Sequence, residues 1–283
     1  MAGYLSNISS RTIISMRLYY DGLVVHQAQS DDGVIEVVDL GNTRSLHFGT
    51  FPRQSSMSLL TPHTLELSYT EAMMACLVLN HNPEHVLVVG LGGGSLVKFL
   101  LHHFPECKID VIEYRQDVVD VAHRFFQVPS DDPRLTIHVG DGYLFTQQQY
   151  YKGDVSYDLL LVDAYDHVGM AASVGAQAFF DSCAGVLSER GVMSINLWGS
   201  DRPLFNQTMS RINQSFDGKT MILPVKNKGN VIGLATMQTV TTANLKRLKN
   251  RVEQQETFLE INLPKSLQDL TRQNSSFIGR LFP

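Results

Sequence analysis

Short β-branched stretches alternate with amphipathic helical stretches from Pro83 to Met237, and this alternation restricts the possible folds more than any other feature. The stretches typical of strands are HVLVV, KIDVIE, LTIHV, YDLLLV, GVMSIN and VIGLATM. They lack the polar alternation of a sheet that faces water on one side, so each is predicted to be buried on both faces. Such strands form a parallel sheet between two layers of helices. The sequence therefore predicts a doubly wound, Rossmann-like α/β fold with a mainly parallel sheet, followed by a charged surface helix at 242–255.

The first 60 residues show a different pattern. Between Leu18 and Phe51, short β-rich runs are separated by Asp-Gly and Gly-Asn pairs, which are typical of tight hairpin turns. A helical pattern then covers LELSYTEAMMACLVL. We predict a small N-terminal β-hairpin domain over residues 1–60 and a Rossmann-like domain over residues 61–283.

Composition limits the partners and the location of the protein. Of the 283 residues, 43% are hydrophobic and 18% are charged, and no apolar run approaches the roughly 18 residues of a membrane span. The N-terminus lacks the unbroken apolar stretch of a secretory signal. A net charge of -5 without a basic cluster argues against nucleic acid. Scattered cysteines and histidines show no metal-ligand spacing. We expect a cytoplasmic protein with no metal, no membrane contact and no nucleic-acid partner.

A glycine-rich turn lies where the first predicted strand of the α/β region meets its first helix. Gly90, Gly92 and Gly94 would allow a tight turn, close approach of a ligand to the backbone, and exposure of the amides that begin the helix. A dinucleotide loop of the form GxGxxG needs a glycine at position 95, where this chain has Ser95. The GxGxG spacing favours an adenosylmethionine-type ligand, whose sulfonium needs no pyrophosphate cradle, and thus a methyltransferase-type sheet.

Acidic residues follow the next two predicted strands. Glu113 ends the second strand about twenty residues after the glycines, where an acidic side chain accepts hydrogen bonds from ribose hydroxyls. Asp141 and Gly142 follow the third strand at the same rim of the sheet. Turn propensity alone also explains Asp141. The glycine turn and these two carboxylates surround one crevice. This arrangement predicts that the ligand is a nucleoside with an exposed ribose.

Two further carboxylates follow the fourth predicted strand, in LLLVDAYDHVG. Asp163 and Asp166 can converge on one cation, such as the ammonium group of a polyamine. A nucleophilic amine must first lose a proton, and a partly desolvated carboxylate can accept it. We assign that role to Asp163, while Asp166 would hold the amine or shape the loop. The competing interpretation is that Asp163 caps the next segment and Asp166 is solvated. Tyr165, between them, is a candidate to lie over the ligand in the substrate pocket or to plug the loop. Trp198, after the fifth strand, is a candidate to wall that pocket or to pack in the core.

The ordered set VLVVGLGGGSL, VIEYRQDVV, DDPRLTIHVGDGYLF and YDLLLVDAYDHVG is similar to the polyamine aminopropyltransferases, the spermidine and spermine synthases. The run LELSYTEAMM resembles the tyrosine-containing segment of that family, and the similarity extends from about Val24 to Met237. The resemblance implies a transferase that uses decarboxylated S-adenosylmethionine and a small-molecule amine, releases methylthioadenosine and forms a homodimer through its N-terminal β region. It implies these roles: Glu113 on the ribose, Asp141 near the adenine, Gln54 on the cofactor, Asp163 as base, and Asp166 and Tyr69 in the amine pocket. Tyr69 is then the second catalytic residue beside Asp163.

Departures from the family pattern keep two alternatives open. The family's glycine loop usually carries an aspartate for the aminopropyl ammonium, where this chain has Gly93. Its absence favours a methyltransferase that uses intact S-adenosylmethionine and releases S-adenosylhomocysteine. Lys226 and Lys228 stand where the family places an aromatic residue. Together with the missing acidic residue in SINLW, they favour a non-catalytic protein that binds a nucleoside or a polyamine.

Overall fold

A computed structural model describes residues 18–164, 173–226 and 228–275 of the protein. Within these residues the N-terminal part forms a five-stranded antiparallel sheet in sequential order. Its strands are β1 (Leu18–Tyr19), β2 (Gly22–Ser30), β3 (Gly33–Leu40), β4 (Thr43–His47) and β5 (Ser55–Ser58). Gly33 and Gly41 have φ angles of +103° and +59° and form the predicted hairpin turns.

A short helical segment joins this sheet to the rest of the chain. It consists of α1 (Ser68–Met73) and a 3-10 helix at Met74–Val78. All five residues of the 3-10 helix are fully buried. The Met73 carbonyl oxygen accepts a hydrogen bond of 2.9 Å from the Ser194 hydroxyl, so the segment is fixed to the larger sheet.

The remaining strands build a seven-stranded sheet within the described residues, in the order β11-β12-β10-β9-β6-β7-β8. The strands and helices of this part are β6 (His85–Val89), α2 (Ser95–His103), β7 (Lys108–Glu113), α3 (Gln116–Phe125), β8 (Leu135–Val139), α4 (Gly142–Lys152), β9 (Tyr157–Val162), α5 (Gln177–Val186), β10 (Leu187–Trp198), α6 (Arg202–Ser215), β11 (Thr220–Pro224) and β12 (Asn230–Thr236). Strands β8, β7, β6, β9 and β10 are parallel neighbours, while β12 is antiparallel to both β10 and β11. The predicted Rossmann-like, methyltransferase-type, mainly parallel fold is confirmed.

Both faces of the sheet are covered, as the apolar strand sequences predict. On β6, Val86 and Val88 pack into one hydrophobic cluster, and Leu87 and Val89 pack into the cluster on the opposite face. Side chains of successive residues alternate between the two faces of a strand. The carboxyl ends of the parallel strands therefore meet at one edge, where the predicted site residues lie.

The C-terminal region is more helical and more buried than the sequence predicts. It contains α7 (Thr242–Arg247), α8 (Lys249–Leu259) and α9 (Leu263–Ser275). The expected surface helix at 242–255 is two helices, and its apolar residues Leu245 and Val252 are buried. The sequence predicts no element from Pro264 onward. The structure shows that residues 264–275 belong to α9, which packs against β11 and the 3-10 helix. Strand β11 was also missed, because a short edge strand before a turn carries little periodicity.

The small sheet packs directly on α3. Ile35, Val37, Leu46 and Met57 from the sheet share a hydrophobic cluster with Phe126, which follows the helix. The described residues include no helix with both the length and the apolarity needed to cross a membrane.

Candidate active site

The glycine turn passes tightly over the end of β9. Gly90 has a φ of +95°, and a Cβ atom there would lie 2.3 Å from the backbone oxygen of Asp163. Gly92 and Gly94 also have positive φ angles, +52° and +66°, and Gly94 precedes α2. Side chains are strained in these conformations, so glycine is required to form the turn. The turn and Asp163 are therefore adjacent parts of one site.

Glu113 lies against the glycine turn, as the strand order predicts. Its buried carboxylate accepts hydrogen bonds from the Leu91 backbone N–H at 2.8 Å and from the Arg115 N–H at 3.0 Å. Burial raises the pKa of Glu113, while the backbone N–H groups oppose that rise by stabilising the charged form. The neighbouring Tyr114 is 66% exposed at the rim of the crevice.

Asp141 caps helix α4. One carboxylate oxygen accepts from the Leu144 N–H at 2.9 Å, and the other accepts from the Ser173 hydroxyl at 2.8 Å. A Cβ atom on Gly142 would lie 2.7 Å from the Val89 side chain, so the beginning of α4 can pack closely on β6 only because residue 142 is a glycine. This cap is the local role that turn propensity alone explains, and it leaves Asp141 at the rim of the sheet.

A cavity of about 570 Å³ lies beside Asp141. It opens between β8 and α4 and reaches neither the glycine turn nor Asp163. Its lining consists of Ile112, His138, Val139, Gly140, Asp141, Leu144, Phe145, Gln148, Gln149 and Lys152. Leu144 is 60% exposed in spite of its apolar side chain.

Asp163 has a hydrogen-bond donor on each carboxylate oxygen. The Tyr69 hydroxyl donates to Oδ2 at 3.1 Å, and the Asn196 side-chain amide donates to Oδ1 at 2.9 Å. Burial raises the pKa of Asp163, and the two hydrogen bonds oppose that rise. Burial and the neighbouring Asp163 charge raise the pKa of Tyr69 well above its ordinary value, so the phenol remains a proton donor. The structure brings together the two residues assigned to catalysis.

Gln54 immediately precedes β5, close to Tyr69. Its backbone oxygen is 3.4 Å from the Tyr69 hydroxyl, and its backbone N–H donates to Leu46 at 2.9 Å. The small sheet thus places Gln54 beside Tyr69, although Gln54 and Tyr69 are 15 residues apart in sequence.

Trp198 ends β10 and is half exposed. Its ring lies against Gly229, where a Cβ atom would be 3.0 Å from the indole. Lys226 and Lys228 are exposed on the turn between β11 and β12. Tyr165 and Asp166 lie outside the described residues.

Two asparagines in the site were not found by sequence reasoning. Asn196 donates to Asp163 and accepts a hydrogen bond of 2.9 Å from the side-chain amide of Asn230. A polar residue in the buried strand GVMSIN could have been noticed, because a buried polar group needs a partner. Asn230 carries no comparable signal, since its role depends on the pairing of β12 with β10.

The space beside Gly93 is filled by Ser55 of the small sheet and by Phe126. A Cβ atom at Gly93 would lie 2.7 Å from the Ser55 Oγ and 2.8 Å from the Phe126 ring. Its carbonyl oxygen accepts a hydrogen bond of 2.7 Å from the buried ammonium of Lys98, which also donates to the Phe126 carbonyl at 2.7 Å. Ser55 therefore occupies the space that a side chain at position 93 would need.

Among the residues described by the structure, no group of three or more His, Cys, Asp or Glu side chains has a metal-binding arrangement. The strand order and the helices on both faces of the sheet define a protein with a Rossmann-like fold of the methyltransferase type.

Comparison with known proteins identifies the family. The spermine/spermidine synthase domain model matches residues 66–221. The polyamine aminopropyltransferase of Chromobacterium violaceum is 32% identical over 247 residues, which cover 87% of this chain and 93% of that protein. The chain therefore belongs to the spermine/spermidine synthase family and is a transferase of the aminopropyltransferase-like group, which confirms the resemblance found in the sequence.

Solved structures agree with the fold. Human methyltransferase-like protein 13 in complex with SAH has a TM-score of 0.62 and 25% identity, covering 69% of this chain and 94% of that one. A spermidine synthase in complex with the transition-state analogue AdoDATO has a TM-score of 0.61 and 20% identity, covering 80% of this chain and 79% of that one.

Proposed function

We propose that this enzyme transfers an aminopropyl group from decarboxylated S-adenosylmethionine to a small-molecule amine and releases methylthioadenosine. The observation that carries the proposal is the carboxylate of Asp163. It ends the central strand β9, lies against the glycine turn at Gly90, and is held by Tyr69 and Asn196. Relatives across most of the chain are named polyamine aminopropyltransferases.

The donor would occupy the crevice along the glycine turn. Gly90, Gly92 and Gly94 keep the turn free of side chains, so a ligand could approach the backbone closely. Glu113 would accept hydrogen bonds from the ribose hydroxyls. Its carboxylate is already buried and supported by backbone N–H groups, which makes it a well-positioned acceptor.

Rim residues would hold the rest of the nucleoside. Asp141 and Gly142 lie at the start of α4, at the same edge of the sheet as the glycine turn, and we place the adenine against them. Gln54 would contact the donor from the small sheet. AdoDATO and SAH in related folds are ligands of this adenosyl type and support the proposal.

The acceptor amine would be deprotonated by Asp163. When bound, the donor supplies an electrophilic carbon beside its sulfonium. Asp163 accepts the proton that the amine loses as the nitrogen–carbon bond forms and the carbon–sulfur bond breaks, and the sulfur leaves as a neutral thioether. Because burial raises its pKa, Asp163 is a stronger base than an exposed aspartate. Tyr69 orients the carboxylate, while Asp166, Tyr165 and Trp198 would line the amine pocket.

A methyltransferase reaction is the second candidate, and Gly93 favours it. Ser55 and Phe126 fill the space beside Gly93, so no carboxylate at that position would repel the carboxylate of intact S-adenosylmethionine. The 25% identity with human methyltransferase-like protein 13, whose structure contains SAH, points the same way.

Isothermal titration calorimetry with decarboxylated S-adenosylmethionine, S-adenosylmethionine and methylthioadenosine separates the two candidates. We expect the decarboxylated donor and methylthioadenosine to bind more tightly than intact S-adenosylmethionine. The reverse order would contradict aminopropyl transfer and support methyl transfer.

Replacement of Asp163 by asparagine tests the base directly. We expect Asp163→Asn to lower kcat by about two orders of magnitude or more, because a general base typically contributes 10²- to 10⁴-fold. Binding of methylthioadenosine should be largely kept. The exposed Asp154→Asn is the matched control and should keep full activity. Unchanged turnover in Asp163→Asn would remove this residue from the mechanism.

The homodimer and the cytoplasmic location remain predictions. Light scattering on the purified protein and fractionation of cells would test them.

A further inference from the structure

Behind Asp163 lies a chain of two asparagine side chains. The Asn196 Nδ2 donates to Asp163 Oδ1 at 2.9 Å, and the Asn230 Nδ2 donates to Asn196 Oδ1 at 2.9 Å. Asn196 is 5% exposed, so water provides few replacement partners for its amide. Asn230 is only partly buried and lies farther from the proposed site of reaction.

The orientation of the Asn196 amide determines whether its nitrogen or its oxygen faces the Asp163 carboxylate. An amide has a donor end and an acceptor end, and rotation about its last bond exchanges them. If Asn196 turned its oxygen toward Asp163, that oxygen would face a carboxylate and repel it. The donor from Asn230 satisfies the Asn196 oxygen on the far side, and this favours the orientation that gives Asp163 a hydrogen bond.

Strand pairing explains why Asn230 reaches Asn196. Strands β10 and β12 are antiparallel, with Trp198 opposite Asn230 and Asn196 opposite Ile232. Asn196 and Asn230 are therefore diagonal neighbours on the same face of the sheet, within reach of long polar side chains. The position of Asn230 is fixed in turn by its carbonyl, which accepts from the Val225 N–H at 3.0 Å across the β11–β12 turn.

We infer that Asn230 is a positioning residue that acts through Asn196 to hold Asp163 in the ionised, proton-accepting form. The role assigned to Asp163 rests on the proposed function, whereas the link from Asn230 to Asp163 rests on the hydrogen bonds alone. Asn230 touches no proposed reacting atom. Its effect would be carried by the hydrogen bond that Asn196 donates.

The groups around Asp163 make a titration interpretable. Tyr69 faces it from α1 and Asn196 from β10, while the Gly90 turn packs against its backbone. Tyr69 does not ionise near neutrality, because its pKa lies well above 10. Lys226 and Lys228 are exposed on the turn before Asn230, where solvent screens their charge. Asp166 and His167, which follow in sequence, lie outside the described residues, so their titration must be assigned separately.

The test measures the pKa of Asp163 in variants of Asn230. Asn230→Leu has a similar shape, no charge and no donor, so it removes the hydrogen bond alone. Asn230→Asp keeps the shape and also lacks a donor, but it adds a negative charge. Carbon-13 NMR of aspartate-labelled enzyme would follow the Asp163 carboxyl signal, identified by its loss in Asp163→Asn. We expect Asn230→Leu to raise the titration midpoint of Asp163 by about one pH unit, because loss of a hydrogen bond to the charged form favours protonation. Asn230→Asp should raise it further, because the added carboxylate also repels the charge of Asp163. Asn206→Leu, at an exposed position of α6, makes the same replacement away from the site and should leave the midpoint unchanged.

A second measurement connects the titration to the reaction. With putrescine and decarboxylated S-adenosylmethionine as probes, the acidic limb of kcat/KM should move to higher pH by the same amount as the Asp163 midpoint. Equal upward shifts of the Asp163 midpoint and of the acidic limb of kcat/KM support the inference. An unchanged Asp163 midpoint in folded Asn230→Leu would overturn it, whatever the result for Asn230→Asp. If the midpoint shifts while Asp163→Asn retains full turnover, the link between the residues stands and the proposed base is wrong.

Discussion

At the scale of single residues, the site depends on where polar groups meet the ends of buried strands. Asp163 follows β9 and Glu113 ends β7 at one edge of the sheet, and each has hydrogen-bond donors on its carboxylate. Both positions can be predicted from the sequence, because a polar residue after an apolar run identifies a strand end. The partners Asn196 and Asn230 could not be predicted in the same way, since their contact requires the register of β10 against β12.

Glycine at position 90 is required by two independent constraints. Its φ is +95°, and an added Cβ atom would lie 2.3 Å from the Asp163 carbonyl oxygen. Gly33 has a similar φ of +103°, but a Cβ atom added there would have no other atom within 4 Å. We expect Gly33→Ala to cost about 1–2 kcal/mol from backbone strain alone. Gly90→Ala should cost about 2–5 kcal/mol, because the clash with backbone adds to that strain.

Urea unfolding of the two glycine variants measures this difference. Equal losses of unfolding free energy would show that the contact with Asp163 is not a constraint. A larger loss in Gly90→Ala would show that the turn and the end of β9 are packed as one unit.

At the scale of secondary-structure elements, helix α4 combines a structural and a proposed binding role at one residue. Asp141 caps it by accepting from the Leu144 N–H, and the cavity begins beside the same side chain. Helix α6 offers a comparison, because Asp201 caps it in the same way by accepting from Leu204 at 3.0 Å. Asp201 does not line the cavity.

The two caps allow stability to be separated from ligand binding. Asp141→Ala and Asp201→Ala should each lower the free energy of unfolding by about 1 kcal/mol, the usual cost of losing an N-cap. Asp141→Ala alone should also weaken methylthioadenosine binding, measured by calorimetry. If the two variants bind methylthioadenosine equally well, Asp141 is a capping residue and not a ligand-binding residue.

At the scale of the whole molecule, the buried Lys98 and the half-buried Arg44 join the small sheet to the glycine turn and to the end of α3. Lys98 on α2 donates to the Gly93 and Phe126 carbonyls and lies 3.3 Å from the Met57 sulfur of β5. Arg44 of β4 forms an ion pair with Asp39 and also donates a hydrogen bond to the Phe125 carbonyl. The two sheets are therefore held together close to the glycine turn, so changes in their packing should also affect the donor site.

Lys98 makes the stability of the whole protein depend on pH. Burial lowers its pKa from 10.5 to about 7. Between these values the unfolded chain binds a proton that the folded protein has released, so the free energy of unfolding rises with pH from about 7 to about 10.5. The stability that depends on neutral Lys98 is fully present above the unfolded-state pKa of 10.5 and is lost as the pH falls toward the folded-state pKa of about 7. The slope from this one group is at most about 1.4 kcal/mol per pH unit.

Urea unfolding from pH 7 to pH 10 checks this expectation. Lys98→Met should reduce the slope, whereas Lys246→Met, at an exposed position of α7, removes the same charge and should leave the slope unchanged. Identical slopes in the wild type and Lys98→Met would show that Lys98 keeps an ordinary pKa in the folded protein.

The sequence by itself determined the α/β alternation, the glycine turn, and the family, because these depend on local apolar patterns and on short motifs whose residues are close in the chain. The tertiary structure decided three things that local pattern cannot. It placed Ser55 of the small sheet in the space beside Gly93. It paired β12 with β10 so that Asn230 reaches Asn196, and through it Asp163. It buried Lys98 between β5 of the small sheet, the glycine turn and the end of α3. Each of these contacts joins residues far apart in sequence, and their distance is set by packing and strand register rather than by local propensity.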